Sequence, residues 1–168
     1  GAVERWHREL CGLTRVFKKT LQNNYNIELG ADHPLMTWAI KHASWTYNRF
    51  QLHSDGKTSF ERRWNHNYSR PLCEFGETLL FRASRFPSHK AESAWDCGIW
   101  LGKCTRSDEH RVGTATKTYR TRTIRRLPPT DRYNNELPTS IAATPWETNG
   151  VGATPTPCFV LPKEADDD

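Results

Sequence analysis

The sequence is poor in the features that usually place a protein quickly. Its 168 residues contain one methionine, only 36% are hydrophobic, and the mean hydropathy is −0.80. No apolar run approaches the ~18 residues needed to cross a membrane, and the N-terminal stretch lacks the short apolar run of a targeting peptide. The five cysteines and seven histidines are scattered, with no C-x-x-C pair. That spacing argues against a structural zinc site. The shortage of apolar residues also argues against a chain that is packed from end to end.

What the chain does have is large rings and positive charge. Seven tryptophans must be concentrated wherever a core exists. The net charge of +5 is unevenly spread: residues 1–128 carry 22 Lys/Arg against 12 Asp/Glu, and residues 129–168 carry 2 against 7. A basic body followed by an acidic tail points to a polyanionic partner, of which nucleic acid is the commonest.

The first 22 residues read as one helix, with apolar residues at Val3, Trp6, Leu10, Leu13, Val16, Phe17 and Leu21 forming a single stripe. Its other side carries Glu4, Arg8, Cys11 and Arg15 on one face, extended by Lys18 and Lys19. A Glu and an Arg one turn apart on a solvated face contribute only roughly 0.2–0.5 kcal/mol. The alternative is a catalytic carboxylate flanked by phosphate-binding cations. The chain begins without Met and in mid-pattern, and so reads as a piece of something longer.

Asp32 as N-cap and Pro34 in the first turn predict a second helix over 34–50. That stretch is apolar on nearly every side, which predicts burial between neighbours. His42, Asn48 and Arg49 are its polar exceptions, and His42 reads as a satisfied core or edge histidine. Thr58 and Glu61 have capping-box spacing and open a short helix over 59–64, on which Arg62 and Arg63 face solvent.

Beyond residue 71 the texture becomes strand-like. Thr78-Leu79-Leu80-Phe81-Arg82, Gly98-Ile99-Trp100-Leu101-Gly102, Arg111-Val112-Gly113-Thr114 and Tyr119-Arg120-Thr121-Arg122-Thr123-Ile124 are short runs separated by turn-rich segments. Their spacing predicts a small antiparallel barrel or sandwich. If the last run is one extended strand, Arg120 and Arg122 share a side opposite Tyr119, Thr121 and Thr123. With Arg111, Lys117, Arg125 and Arg126 nearby, this is the densest positive patch in the chain. It reads either as a solvated face or as a nucleic-acid contact. From 129 to 168, Pro, Thr, Ala, Asn and acids dominate, and the composition predicts a disordered linker. Trp146 and Cys158-Phe159-Val160-Leu161 are isolated apolar spots within it.

In series, these pieces resemble the integrases of retroviruses and, more specifically, of copia-type retrotransposons. The opening Gly1-Ala2-Val3-Glu4-Arg5 resembles the helix carrying the third carboxylate of the acidic triad. The buried helix ending Asn48-Arg49, the turn and helix Gly56-Lys57-Thr58-Ser59-Phe60-Glu61, the Phe75-Gly76 pair and the Gly98-Ile99-Trp100-Leu101-Gly102 strand follow in the order seen in copia-type Pol polyproteins. The likeness covers about residues 2–127.

The resemblance implies an α+β chain in three parts. Residues 1–70 would be the C-terminal helices of a ribonuclease-H-like catalytic core, 71–128 a small SH3-like DNA-binding barrel, and 129–168 the disordered spacer. It implies that Glu4 is a catalytic metal ligand, helping two aspartates hold Mg²⁺ or Mn²⁺ for phosphoryl transfer. Neither aspartate is among the residues here, so this chain alone is expected to be inactive. Arg8 falls where retroviral relatives contact viral DNA ends, and Cys11 departs from the next basic position. The DNA-binding set expected from patch and resemblance together is Arg8, Arg15, Arg111, Lys117, Arg120, Arg122, Arg125 and Arg126. The implied partners are element-end and target DNA, the rest of the Pol polyprotein and further copies of the parent enzyme, acting in the nucleus and not at a membrane. A non-catalytic DNA- or chromatin-binding module remains the alternative, and a decayed element without function is a third reading. The absent central sheet also implies that the first two helices expose apolar faces or repack on each other.

Overall fold

The computed structural model describes residues 1–82, 94–134 and 136–148. They form a small α+β domain with four helices and a five-stranded antiparallel sheet. No helix among them is long and apolar enough to cross a membrane.

The first helix, α1 (Ala2–Tyr25), runs three residues past the sequence-predicted end and stops at Asn26, whose backbone is left-handed (φ 53°). The Gln22 side chain then accepts from the Leu29 N–H at 2.9 Å and fixes the exit loop. Only the last third of α1 reaches the core, with Leu21 and Tyr25 buried, while Val3, Trp6 and Val16 stay exposed. The Tyr25 hydroxyl donates to the Gly76 carbonyl at 2.6 Å and lies 2.8 Å from Thr78 Oγ1. Burial raises its pKa well above that of an ordinary phenol, so the hydroxyl keeps the proton it donates.

The second helix, α2 (Pro34–Phe50), has the predicted bounds, but its cap is His33 rather than Asp32: His33 Nδ1 accepts from the Leu35 N–H at 3.2 Å. The helix packs between α1 and the sheet, as its apolar character predicts. The expectation that α1 and α2 expose apolar faces or repack is met in both respects: the helices touch, with Phe17 against His42, whereas Val3 and Trp6 at the start of α1 stay exposed. A short α3 (Ser59–Trp64) follows, with Thr58 Oγ1 accepting from the Glu61 N–H at 3.0 Å.

The strands are β1 (Thr78–Phe81), β2 (Asp96–Lys103), β3 (His110–Gly113), β4 (Thr118–Thr121) and β5 (Ile124–Arg126), in the sheet order β4-β3-β2-β1-β5. One predicted run, 119–124, is two strands. Thr121 Oγ1 accepts from the Thr123 N–H at 3.2 Å and closes a turn at Arg122 and Thr123. The alternation argument therefore fails past Thr121. A bulge between Trp100 and Gly102 bends β2 against β3.

Each face of the sheet carries a core. On one side Ile99 and Leu101 pack with Leu21, Leu35, Trp38 and Phe75, joined by Leu137 and Ile141. On the other, Leu79, Phe81, Trp100 and Val112 are fully buried, flanked by Tyr119 and Ile124. Gly98 permits this second cluster, because a Cβ there would lie 2.5 Å from Val112 Cγ1.

The first cluster draws on all three expected parts of the chain, so the boundaries at 70 and 128 do not separate independent cores. Within the segment expected to be disordered, residues 129–134 and 136–148 are ordered, and residues 149–168 lie outside the described residues. A 3₁₀ turn at Pro129–Asp131 leads to α4 (Leu137–Ser140), and Leu137, Ile141 and Ala143 are buried. The reason is tertiary: the Trp38 indole donates to the Ala143 carbonyl at 2.8 Å, and the Thr78 N–H donates to the Arg132 carbonyl at 2.9 Å. Trp146 is exposed, and Cys158-Phe159-Val160-Leu161 lies outside the described residues.

Candidate functional site

Along α1 the expected polar face is assembled as predicted. Glu4, Arg8, Cys11 and Arg15 line one groove with Val3, Trp6 and His7. The Glu4 side chain is 81% exposed and pairs with the Gly1 ammonium. Among the described residues no three His, Cys, Asp or Glu side chains lie close enough together to hold a metal ion. A lone exposed carboxylate does not fit a two-metal site, which needs several hard oxygen ligands. No chemical step through Mg²⁺ or Mn²⁺ follows from the residues present.

The sheet separates the remaining expected DNA contacts into three groups. Lys117, Arg120, Arg122 and Arg125 are exposed along the segment that runs through β4 and β5, strands at opposite ends of the sheet order. Lys117 Nζ lies 4.7 Å from the centre of the Tyr119 ring, and the Arg125 guanidinium 4.8 Å from that of Trp95. Arg122 Nε is 3.5 Å from Glu109 Oε1, but the arginine side chain is 86% exposed and the pair is weak. Arg120 and Arg122 hold the Glu109 carboxylate below its ordinary pKa, after the Ser107 hydroxyl that donates to it.

Arg126 is engaged within the fold. Its guanidinium forms a two-pronged pair with the fully buried Glu77 carboxylate, which raises the arginine's pKa. Its side chain is still 42% exposed, so it pairs within the fold while keeping one side toward solvent.

Arg111 also leaves the basic patch, although it pairs directly across from Arg120. It turns toward α2, its guanidinium 5.4 Å from the centre of the Trp38 ring. There it lines a cavity of about 250 Å³ with Lys41, Arg49 and Lys103. Arg49 is only 9% exposed and lies 4.1 Å above the Trp45 ring, with Phe60 and Tyr68 further out. Desolvation lowers the pKa of Arg49 and of Lys41, and Arg111 lowers that of Lys41 further by like-charge repulsion.

His42, in the same wall, is buried as expected but not satisfied. Its Nδ1 has no hydrogen-bond partner among the described residues, nor do Trp45 Nε1, Arg49 Nε and Arg111 Nε. Burial pushes the His42 pKa down to about 4, so the ring is neutral at pH 7. The signal for this cavity was present in the sequence as the polar exceptions His42, Asn48 and Arg49 on an apolar helix. What the sequence did not give was their convergence with Lys103 and Arg111, more than fifty residues away. No protein-family model, curated protein or solved structure matches the chain.

Proposed function

We propose that the chain is the C-terminal part of a copia-type retrotransposon integrase, and that its own activity is to bind DNA. In this reading the helices are the end of a ribonuclease-H-like core and the sheet is a small SH3-like barrel. The observation that carries the DNA-binding part is the β4–β5 segment, where Lys117, Arg120, Arg122 and Arg125 stand exposed within nine residues. Phosphates are recognised by such cations without regard to base sequence. The barrel reading is supported by the pairing of β5 with β1 at one end of the order and β4 with β3 at the other. Only Arg122 and Thr123 separate β4 from β5, and the Thr121 hydroxyl donates to the Arg82 carbonyl at 2.9 Å, drawing the two sheet edges together. The exposed Val3, Trp6 and Val16 are what a helix would present if it rested on the sheet of a larger core.

Catalysis belongs, in this reading, to a parent enzyme that adds two carboxylates to Glu4 and holds Mg²⁺ or Mn²⁺. The remainder of Pol, further integrase copies and a nuclear location belong to that parent as well. One observation favours the second reading, a non-catalytic DNA- or chromatin-binding module: helices and sheet share the core on one face of the sheet, so the helices serve as scaffold for the basic β4–β5 segment.

Equilibrium binding of the full chain to a labelled duplex across a salt series tests the common claim. The expected result is a log–log slope equivalent to several released counterions, about 0.9 per phosphate contact. Absence of binding at low salt overturns both readings. Joining of DNA ends by a chain extended with its upstream half, abolished by Glu4→Gln, selects the integrase; a fully active Glu4→Gln enzyme rejects it.

A further inference from the structure

The cavity between α2 and the β2–β3 hairpin has a charge balance that the folded chain does not resolve. Its wall holds Lys41, Arg49, Lys103 and Arg111 and no carboxylate. Lys103 has a partner outside the cavity wall, the Asp108 carboxylate at 3.4 Å. Arg49 and Arg111 have only weak contacts: Arg49 Nη1 donates to the Trp45 carbonyl at 3.4 Å, and Arg111 Nη2 to Cys104 Sγ at 3.5 Å. Burying a guanidinium without an anion is costly, and ring faces return only about 0.5–2 kcal/mol. Like charges around a low-dielectric cavity focus their field on its interior. At about 250 Å³ the space is far larger than the roughly 30 Å³ share of one water.

We propose that this cavity binds a phosphate group, held by Lys41, Arg49 and Arg111. Three cations approaching from a helix and a strand suit a compact, multiply charged oxyanion better than a singly charged, planar carboxylate. Guanidinium forks supply paired donors for its oxygens, and Ser44, Asn48 and Thr105 add neutral donors. An adjoining cavity of about 600 Å³ shares Asn48, Arg49 and Thr105 and is walled by Phe60 and Trp64. Those rings offer a stacking face if the phosphate is carried by a nucleotide. The inference stands on the cavity and does not depend on DNA binding by the β4–β5 segment.

Calorimetric titration of the full chain with inorganic phosphate, at ionic strength matched with chloride, tests the site. One saturable site is expected, weakened about tenfold or more by Lys41→Met and by Arg111→Met, and unchanged by Lys57→Met, a lysine that lines neither cavity. Phosphate should raise the melting temperature of the native chain and not that of Lys41→Met. Arg49→Met is the stronger variant, but it removes a buried side chain; Lys41 is exposed at the rim, so its variant keeps the test decisive if Arg49→Met fails to fold. No saturable uptake, or uptake indifferent to Lys41→Met, overturns the proposal. Adenosine monophosphate binding more tightly than inorganic phosphate, with adenosine alone inert, assigns the group to a nucleotide; equal affinities assign it to the free ion.

Discussion

Arg126 grips Glu77 through two parallel hydrogen bonds, 2.6 Å from Nε to Oε1 and 2.7 Å from Nη2 to Oε2, with the carboxylate fully buried. Glu77 Oε2 also accepts the Glu74 N–H at 2.9 Å. Removing the cation strands a charge away from water, so Arg126→Met should cost about 3–5 kcal/mol of stability. Urea unfolding checks this. A shift within error of the native chain would show that water replaces the guanidinium at little cost.

The exposed cations of the β4–β5 segment should behave in the opposite way. Arg120→Ala with Arg122→Ala should leave the urea midpoint nearly unchanged while weakening duplex binding alike for all sequences. It should also flatten the salt slope by about two, at roughly 0.9 per phosphate. Unchanged affinity in the double variant removes this segment from the DNA surface.

His42 is packed against the bare Cα of Gly102. A Cβ there would fall 2.8 Å from Nδ1, and the backbone at Gly102 has φ +116°. Gly102→Ala therefore meets both a side-chain clash and a disfavoured backbone, and should destabilise by about 1–3 kcal/mol. Thermal unfolding measures it; a neutral result would mean the bulge relaxes freely.

Acid should weaken the fold earlier than carboxylate titration alone predicts. Burial pushes both His42 and His110 down to about 4, below the ordinary histidine range near 6.5. Between those values the unfolded chain binds protons that the native chain refuses. Stability is thus fully present above pH 6.5 and is lost as pH falls toward 4. For His42 the limit is about 3 kcal/mol. His110 Nδ1 accepts from the Trp100 indole at 3.0 Å, and protonation there breaks that bond. The aromatic rings of Phe17, Phe75, Trp45 and Trp100 surround His42, so His42→Phe should flatten the pH dependence of the melting temperature. A profile identical to the native one would put the acid sensitivity elsewhere.

The segment after 129 should contribute to folding rather than trail from it. Ile141 is 2% exposed in the helix-side core, so Ile141→Ala should cost about 2–5 kcal/mol. Slow amide exchange at Thr78, whose N–H donates to the Arg132 carbonyl, should quicken in that variant. Stability and exchange equal to those of the native chain would restore the picture of a loose tail.

Local chemistry wrote much of this fold directly into the sequence. The 3.6-residue period placed α1, Pro34 at the head of an apolar stretch placed α2, Thr58 with Glu61 opened α3, and short β-branched and aromatic runs marked β1, β2 and β3 to within two residues, while the fourth run concealed the break between β4 and β5. The polar face of Glu4, Arg8, Cys11 and Arg15 followed from helical spacing alone. Such features depend on neighbours a few positions apart, which the sequence shows side by side.

What only the tertiary structure decided were the fates of groups whose partners are remote. Arg125 and Arg126 are adjacent and alike in the sequence, yet one lies over the Trp95 ring and the other is bound to Glu77, forty-nine positions away. Arg111 belongs by sequence to the basic patch and by packing to the cavity under α2. Residues 129–148 have a disordered composition but gain order from Trp38, 105 positions before its acceptor at Ala143. Charge and polarity are properties of a residue, whereas desolvation and pairing are properties of a place, and the place exists only once the sheet has brought distant segments together.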